Sequence, residues 1–248
     1  MADTSAFFDS RAAVYDTLRP QDDAWWARFE AMVRMGDLRG RRVLDVGCGT
    51  GALLLALAER ANAKAWGVEP SPEMRAAAKA RLPRGVGLRA GSAETLPFRD
   101  SWFDAVTFSL VIHLVDRKAA FAEAARVLAP TGRIVIASFS HEHFDTYWAA
   151  PFFPSIPEID RARFPTETQL DEELAAAGFG EICQERLSSR YTTTRAEALE
   201  RIHGRHISTF HLLDPVEVEA GVARAKRELP AEIEVRLEQL VVAAQLGT

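Results

Sequence analysis

Arg42-Val43-Leu44-Asp45-Val46-Gly47-Cys48-Gly49-Thr50-Gly51, running on into Ala52-Leu53-Leu54-Leu55-Ala56-Leu57-Ala58, decides how the rest of the chain is read. Val43 to Val46 is a short apolar run ending in glycines, the pattern of a buried parallel strand, and Ala52 to Ala61 has the composition of a buried helix. The piece is strand, glycine loop, helix. A loop turning from a strand straight into a helix needs residues without a Cβ where φ is positive or where a ligand touches backbone. Gly47, Gly49 and Gly51 supply that freedom. Unpaired N–H groups at the helix start, with the positive end of its dipole, then face any polar group beyond the strand's carboxyl end. A cofactor site is the expected use; a tight turn serving only strand–helix packing is the alternative.

Outward from the loop, Ala65-Trp66-Gly67-Val68-Glu69 is a second short apolar strand ending in an acid. The acid stands about where dinucleotide folds carry a ribose-binding carboxylate. Two such strands with a helix between them make a right-handed crossover. The spacing is Gly-x-Gly-x-Gly, not the Gly-x-Gly-x-x-Gly of dinucleotide enzymes, and Asp45 stands two residues before the first glycine. As a whole, Val43 to Gly51 resembles motif I of the class I S-adenosylmethionine (SAM) dependent methyltransferases, of the type 11, small-molecule kind. The resemblance implies a doubly wound, Rossmann-like α/β fold with a seven-stranded, mostly parallel sheet and an antiparallel last strand. It also implies SAM as cofactor, with Asp45, Gly47, Cys48 and Gly49 near its methionine end and Glu69 on its ribose hydroxyls.

At 248 residues the chain is long enough for a single domain, 1–248, that buries about three quarters of its unfolded surface. The net charge of −5 gives no general attraction to nucleic acid or to an anionic membrane, so neither partner is expected. Cys48 and Cys183 are spaced neither as a disulfide framework nor as metal ligands, and no metal is expected. Met1 to Pro20 lacks the basic start and continuous apolar core of a signal peptide, and no apolar run reaches the roughly 18 residues of a membrane span. A cytoplasmic protein is expected.

Residues 1–36 read as a helical lid. Ser5 to Thr17 carries Phe7, Phe8, Val14 and Tyr15 at near-helical spacing, with Leu18 just beyond; Arg19-Pro20 ends that helix, and Asp22-Asp23 caps the next, Ala24 to Met35. Phe8 to Pro20 resembles the lid that covers the cofactor in small-molecule members of the family. That implies contacts from Tyr15 and Arg19 to SAM, the guanidinium pairing with its carboxylate. A core aromatic and a surface arginine are the alternative.

Beyond Glu69, Pro70 and Ser71 lead into a helix whose Met74 faces either adenine or the core. Val86 to Ala90 reads as the third strand. The turn Gly91-Ser92-Ala93-Glu94 stands where the family often has Gly-Asp-Ala-Glu, whose acid receives the adenine amino group. Ser92 can accept one hydrogen bond there without charge assistance, and Ala93 and Glu94 complete the contact. Trp102 to Phe108 is the fourth strand, with Asp104 structural, and it ends at Ser109 and Leu110, whose carbonyls are placed by the resemblance near the SAM ammonium. His113 is the candidate catalytic base, since an imidazole of ordinary pKa can take a proton from a hydroxyl or amine. A packing histidine with one hydrogen bond is the alternative.

Asp116 caps a helix over Arg117 to Leu128, and Arg133 to Phe139 is the fifth strand after a turn at Pro130-Thr131-Gly132. The prolines and aromatics of residues 140–165 predict an irregular, substrate-covering insertion. Thr166 caps a helix that stops at Gly178, and Ile182 to Leu187 is a strand. Residues 194–229, a helix over Thr194 to Leu213 and another from Asp214, form a second covering insertion, with His203, His206 and His211 facing either a pocket or solvent. Glu234 to Ala244 is the antiparallel last strand. The expected reaction is methyl transfer from SAM to an oxygen, nitrogen or carbon of a small-molecule acceptor. An NAD-dependent oxidoreductase and a non-catalytic SAM-binding regulator stand as alternatives.

Overall fold

A computed structural model describes residues 5–10 and 12–247. Three helices come first, α1 (Ser5–Asp9), α2 (Tyr15–Leu18) and α3 (Asp23–Met35). The alternating unit follows as β1 (Arg42–Val46), α4 (Ala52–Arg60), β2 (Lys64–Glu69), α5 (Pro72–Arg81), β3 (Gly87–Ala90) and β4 (Phe103–Ser109). After α6 (Arg117–Val127) and β5 (Leu128–Phe139) come α7 (His141–Asp145), α8 (Ser155–Arg163), α9 (Glu167–Ala176) and β6 (Phe179–Thr194). The chain finishes through α10 (Arg195–His203), α11 (Pro215–Glu228) and β7 (Glu232–Leu246).

The strands form one seven-stranded sheet in the order β3-β2-β1-β4-β5-β7-β6. β1 to β5 pair in parallel, and β7 runs antiparallel to both β5 and β6. The order reverses between β1 and β4, whose ends lie side by side with Val46 opposite Phe108. Loops leaving neighbouring strands in opposite directions open a crevice at that point.

Alternation along each strand splits the core in two. Leu44, Val46, Val106, Phe108, Ile134 and Ile136 face α6 and α9, packing on Phe121 and Leu170. Val43, Ala105, Val135 and Ala243 face α3 and α4, packing on Phe29, Met32, Leu54 and Leu57. Asp104 accepts from the Arg42 N–H at 2.8 Å and from its guanidinium, which ties the start of β1 to β4 and bears out its structural reading. Expected caps are present: Asp22 accepts from Trp25 N, Asp116 from Ala119 N, Thr166 from Gln169 N and Asp214 from Val216 N.

Five segments depart from expectation. β5 takes in Pro130-Thr131-Gly132, expected as a turn before Arg133, as an irregularity in its pairing with β4, with Thr131 at φ 62°. The helix expected over Ser5 to Thr17 breaks after Asp9, and long-range bonds from Ser71 Oγ to Asp9 and from Thr50 Oγ1 to Asp16 hold the two pieces. Residues 1–4 and 11 of that region lie outside the described residues. Residues 140–165 hold two helices, α7 and α8, with irregular chain and turns between them: Pro154 precedes α8 and Pro157 sits in its first turn, where an absent N–H costs nothing. The helix expected over Thr194 to Leu213 ends at Gly204, and a 3-10 turn covers Ser208–His211. β6 is far longer than Ile182 to Leu187. It is an edge strand whose alternation is between exposed and half-exposed positions, so no apolar period marks it.

A third cluster, Tyr147, Phe153, Ile156, Ile202, Phe210 and Val235 among its members, joins the 140–165 and 194–229 segments to the start of β7. Among the described residues, no helix is long and apolar enough to cross a membrane, and no group of three or more His, Cys, Asp or Glu is placed to hold a metal.

Candidate active site

Gly47, Gly49 and Gly51 have φ of 69°, 54° and 81°, the left-handed region the sequence pattern calls for. Gly47 N–H and Cys48 N–H donate to Val68 O at 2.8 and 3.1 Å, binding the loop to the end of β2. A Cβ on Gly67 would stand 2.7 Å from Cys48 Sγ and 2.5 Å from Leu54, so this close approach also needs a glycine. Burial raises the Cys48 thiol well above 9.0, with Asp45 and Glu69 adding to the effect, and leaves it uncharged.

The loop delivers Gly49 to Glu69. Glu69 is only 6% exposed; its Oε2 accepts from Gly49 N–H at 2.9 Å and its Oε1 from Ser71 N–H at 3.0 Å. Each oxygen keeps a second acceptor site. Burial raises the Glu69 pKa above 4.5, opposed by these two N–H groups. Arg75 holds the turn after it, donating to the carbonyls of Glu69 and Pro70 at 2.7 Å each.

Two cavities open over the reversal point. The first, about 300 Å³, is lined by Glu69, Pro70, Met74, Ser92, Ala93 and Glu94 on one side and by Val111, Leu114 and Val115 on the other. Met74 is both buried in the core and part of this wall. The second, about 220 Å³, is lined by Arg19, Asp45 and Cys48 and reaches into the helical segments at Tyr147, Trp148 and His206. Tyr15, Gly47, Gly49, Ser109 and Leu110 line both. Leu110 has φ 56° while its N–H donates to Ala137 O at 2.8 Å, so the chain leaves β4 through a conformation that L-residues disfavour.

Every residue expected at the cofactor therefore lines one of these two cavities, and His113 lines neither. It borders two smaller ones, in a 3-10 turn, stacked on Phe164 with ring centroids 3.9 Å apart. Its Nδ1 is buried with no partner among the described residues, and burial, with Arg163 and Arg19 nearby, pushes its pKa well below 6.5.

Asp45 is 2% exposed and accepts from Thr107 Oγ1 at 2.9 Å. Burial raises its pKa from 3.8 to about 7, partly offset by the Thr107 bond. On the far wall, Tyr147 OH donates to His206 Nε2 at 3.2 Å, the tautomer set by His206 Nδ1 donating to Arg201 O at 3.0 Å. Burial lowers the His206 pKa to about 3 and that of His143, in the same wall, to about 4. Arg19 Nε donates to His206 O at 3.0 Å, joining the N-terminal helices to the 194–229 segment.

Two further residues of this cavity, Arg28 and Gln239, are absent from the sequence reading. Arg28 NH1 donates to Gln239 Oε1 at 2.6 Å, and Arg28 is 9% exposed. A signal for Arg28 existed: it lies at helical spacing on the apolar stripe of Trp25, Phe29 and Met32.

Residues 44–136 match the methyltransferase domain family. The chain is 32% identical over 204 residues to the demethylmenaquinone methyltransferase of Mycolicibacterium paratuberculosis, an alignment covering 73% of this chain and 86% of that one. It is 39% identical over 132 residues to an uncharacterized methyltransferase of Mycobacterium bovis, covering 53% of this chain and 51% of the other, so it spans about half that relative's length. A crystal structure of a methyltransferase assigned to an antibiotic biosynthesis pathway of Anabaena variabilis has the same fold, with a TM-score of 0.66 at 24% identity over 87% of this chain and 96% of that one. The sheet reverses its order beside the glycine loop, and the identity runs through most of a relative's length: the chain belongs to the class I SAM-dependent methyltransferase family.

Proposed function

We propose that this protein transfers a methyl group from SAM to an oxygen, nitrogen or carbon of a small-molecule acceptor. The observation that carries the reading is Glu69, held by Gly49 N–H and Ser71 N–H at the cavity wall with acceptor capacity left on both oxygens. A ribose diol is the ligand group that matches two such oxygens. The larger cavity suits the adenosine part: Met74, Pro70 and Val111 offer flat apolar walls, and Ser92 and Ala93 offer polar atoms at its edge. A Cβ on Gly49 would meet nothing within 4 Å, so the loop backbone is open to a ligand. Arg19 and Asp45 then take the carboxylate and ammonium of the methionine end, with Tyr15 and the Ser109–Leu110 turn between the two cavities.

Bound SAM supplies a methyl group already activated on a sulfonium. The protein's own contribution is alignment and the exclusion of water. The described residues of 1–36 together with 140–165 and 194–229 cover the cavities in this reading, and the bonds Thr50–Asp16, Ser71–Asp9 and Arg19–His206 O hold the first of these covers down. A small acceptor is supported by the second cavity's reach between the helical segments at Tyr147, Trp148 and His206 and by the demethylmenaquinone methyltransferase among the relatives.

Thermal denaturation with S-adenosylhomocysteine (SAH), SAM and NADH in parallel tests the reading. At a hundred times its dissociation constant a ligand adds about 2.7 kcal/mol, roughly 5–10 °C for a chain of this size. A shift with SAH and SAM is expected; a shift with NADH alone would replace methyl transfer by hydride transfer.

His113 is the proton acceptor offered by chemistry, neutral at physiological pH and with Nδ1 unengaged among the described residues. Because it borders only the smaller cavities, His113→Gln is expected to lower kcat less than about tenfold and to leave the pH profile in place, whereas a general base contributes about 100-fold or more. A loss of that larger size, with the acidic limb of the profile displaced, would assign it the base.

A further inference from the structure

Resting on the methyltransferase reading, we propose that the methyl acceptor is an aromatic carboxylate, its anion held by Arg28 and its ring lying among the aromatic walls of the smaller of the two cavities. Three guanidiniums, Arg19, Arg28 and Arg201, line this cavity, and among the described residues none of them is in an ion pair. The acids of the same wall pair with none of these three guanidiniums. Asp16 takes Arg81 and the Thr50 hydroxyl, Asp22 caps α3, and Asp45 accepts from Thr107.

Arg28 is the most telling of the three. It is buried, its one hydrogen bond among the described residues is to the neutral Gln239, and burial together with the charge of Arg19 lowers its pKa to about 10 against the opposing charge of Asp22. No carboxylate stands within ion-pair distance of this buried cation, and the more distant charge of Asp22 offsets its burial only in part; an arriving carboxylate removes the remaining penalty while meeting the planar guanidinium in bidentate geometry. Arg201 is engaged by the Tyr191 hydroxyl at 2.7 Å, and Arg19 is assigned above to the cofactor's carboxylate. That leaves Arg28 for a second anion, and SAM brings only one. The remaining wall is aromatic, with Trp25, Phe139, Tyr147 and Trp148 around it, and the buried histidines are held neutral, so a flat ring is the uncharged part that fits.

The test is isothermal titration of SAH-saturated protein with a panel of one- and two-ring aromatic carboxylates, each paired with its carboxamide. At least one acid is expected to bind about tenfold or more tighter than its amide, with Arg28→Met erasing that preference and leaving amide affinity within about threefold. The variant removes an uncompensated buried charge, so its ligand-free melting temperature is expected to hold or rise. A fall of more than about 5 °C, or failure to fold, would make Arg28 structural and overturn the proposal. So would a panel without acid preference in the wild type. Arg28→Lys keeps the charge and loses the fork, and is expected to retain part of the preference. If Arg28→Met weakens SAH about tenfold and leaves 5′-methylthioadenosine unchanged, the anion is the cofactor's own carboxylate and the acceptor assignment falls. Failure of the wild type to bind SAH at all would instead overturn the methyltransferase reading.

Discussion

Glu69→Ala is expected to lower the affinity for SAH by about 100-fold, close to 3 kcal/mol, in a protein that still folds. Two hydroxyl-to-carboxylate hydrogen bonds of about 1.5 kcal/mol each account for the loss, because both oxygens keep acceptor capacity toward the cavity. The fold tolerates the change because two effects oppose. Gly49 N–H and Ser71 N–H lose their acceptor, but a carboxylate whose pKa burial has raised above 4.5 is removed from the interior. The direction with pH follows. A raised carboxyl pKa means that the folded state holds the proton more tightly than the unfolded chain; this contribution to stability is complete below 4.5 and is lost as pH rises through the folded value. The proposed ribose contact needs the ionised form, so wild-type SAH affinity is expected to fall as pH drops through that same value. Titration calorimetry across pH checks both effects, and unchanged affinity in Glu69→Ala would remove the ribose role.

Asp45→Asn is expected to do the reverse, stabilising the ligand-free protein while weakening SAH. Burial carries the Asp45 pKa from 3.8 to about 7, so its ionised form is disfavoured in the fold. The difference, 7 − 3.8 = 3.2 pK units, at about 1.36 kcal/mol each sets an upper bound near 4 kcal/mol. Asn keeps an oxygen for the Thr107 hydroxyl and carries no charge. The stabilisation conferred by the variant should therefore be near zero at about pH 4, grow as pH rises to 7, and level off above it. At pH 8 a gain of about 5–10 °C in melting temperature is expected. The same carboxylate is the counter-charge proposed for the amino group of SAH, so its loss should weaken binding about tenfold. A melting difference that does not change between pH 4 and pH 8 would mean that Asp45 titrates normally in the folded protein.

In the proposed reading, Asp45 and Arg28 belong to a site where ligand charge completes a partly uncompensated interior. Asp45 is short of a cation and Arg28 of an anion in the ligand-free protein, and the two line one cavity. Retaining such groups lowers stability in exchange for recognition, and it is why substitutions there are expected to strengthen the fold and weaken binding.

The division between local and distant information follows the range of the interactions. The strand–loop–helix at Val43 to Ala58, the acid at Glu69 and the caps at Asp22, Asp116, Thr166 and Asp214 depend on neighbours a few residues away and on strict conformational demands such as positive φ at Gly47 and Gly49. Those demands leave a readable pattern, so the sequence alone determined the fold class and the residues around the larger cavity. The break in the first helix, the helices within 140–165 and the full length of β6 answer to tertiary partners instead: Ser71 and Thr50 for the first, the apolar cluster around Phe153 and Phe210 for the second, and fourteen paired positions along β7 for the third. The Arg28–Gln239 bond joins positions 211 apart in the chain, and His113 lines neither of the two cavities and is stacked on Phe164 from another segment. Only the tertiary structure decided these, since a guanidinium on an apolar stripe reads locally as an anomaly and acquires its meaning from the cavity that forms around it.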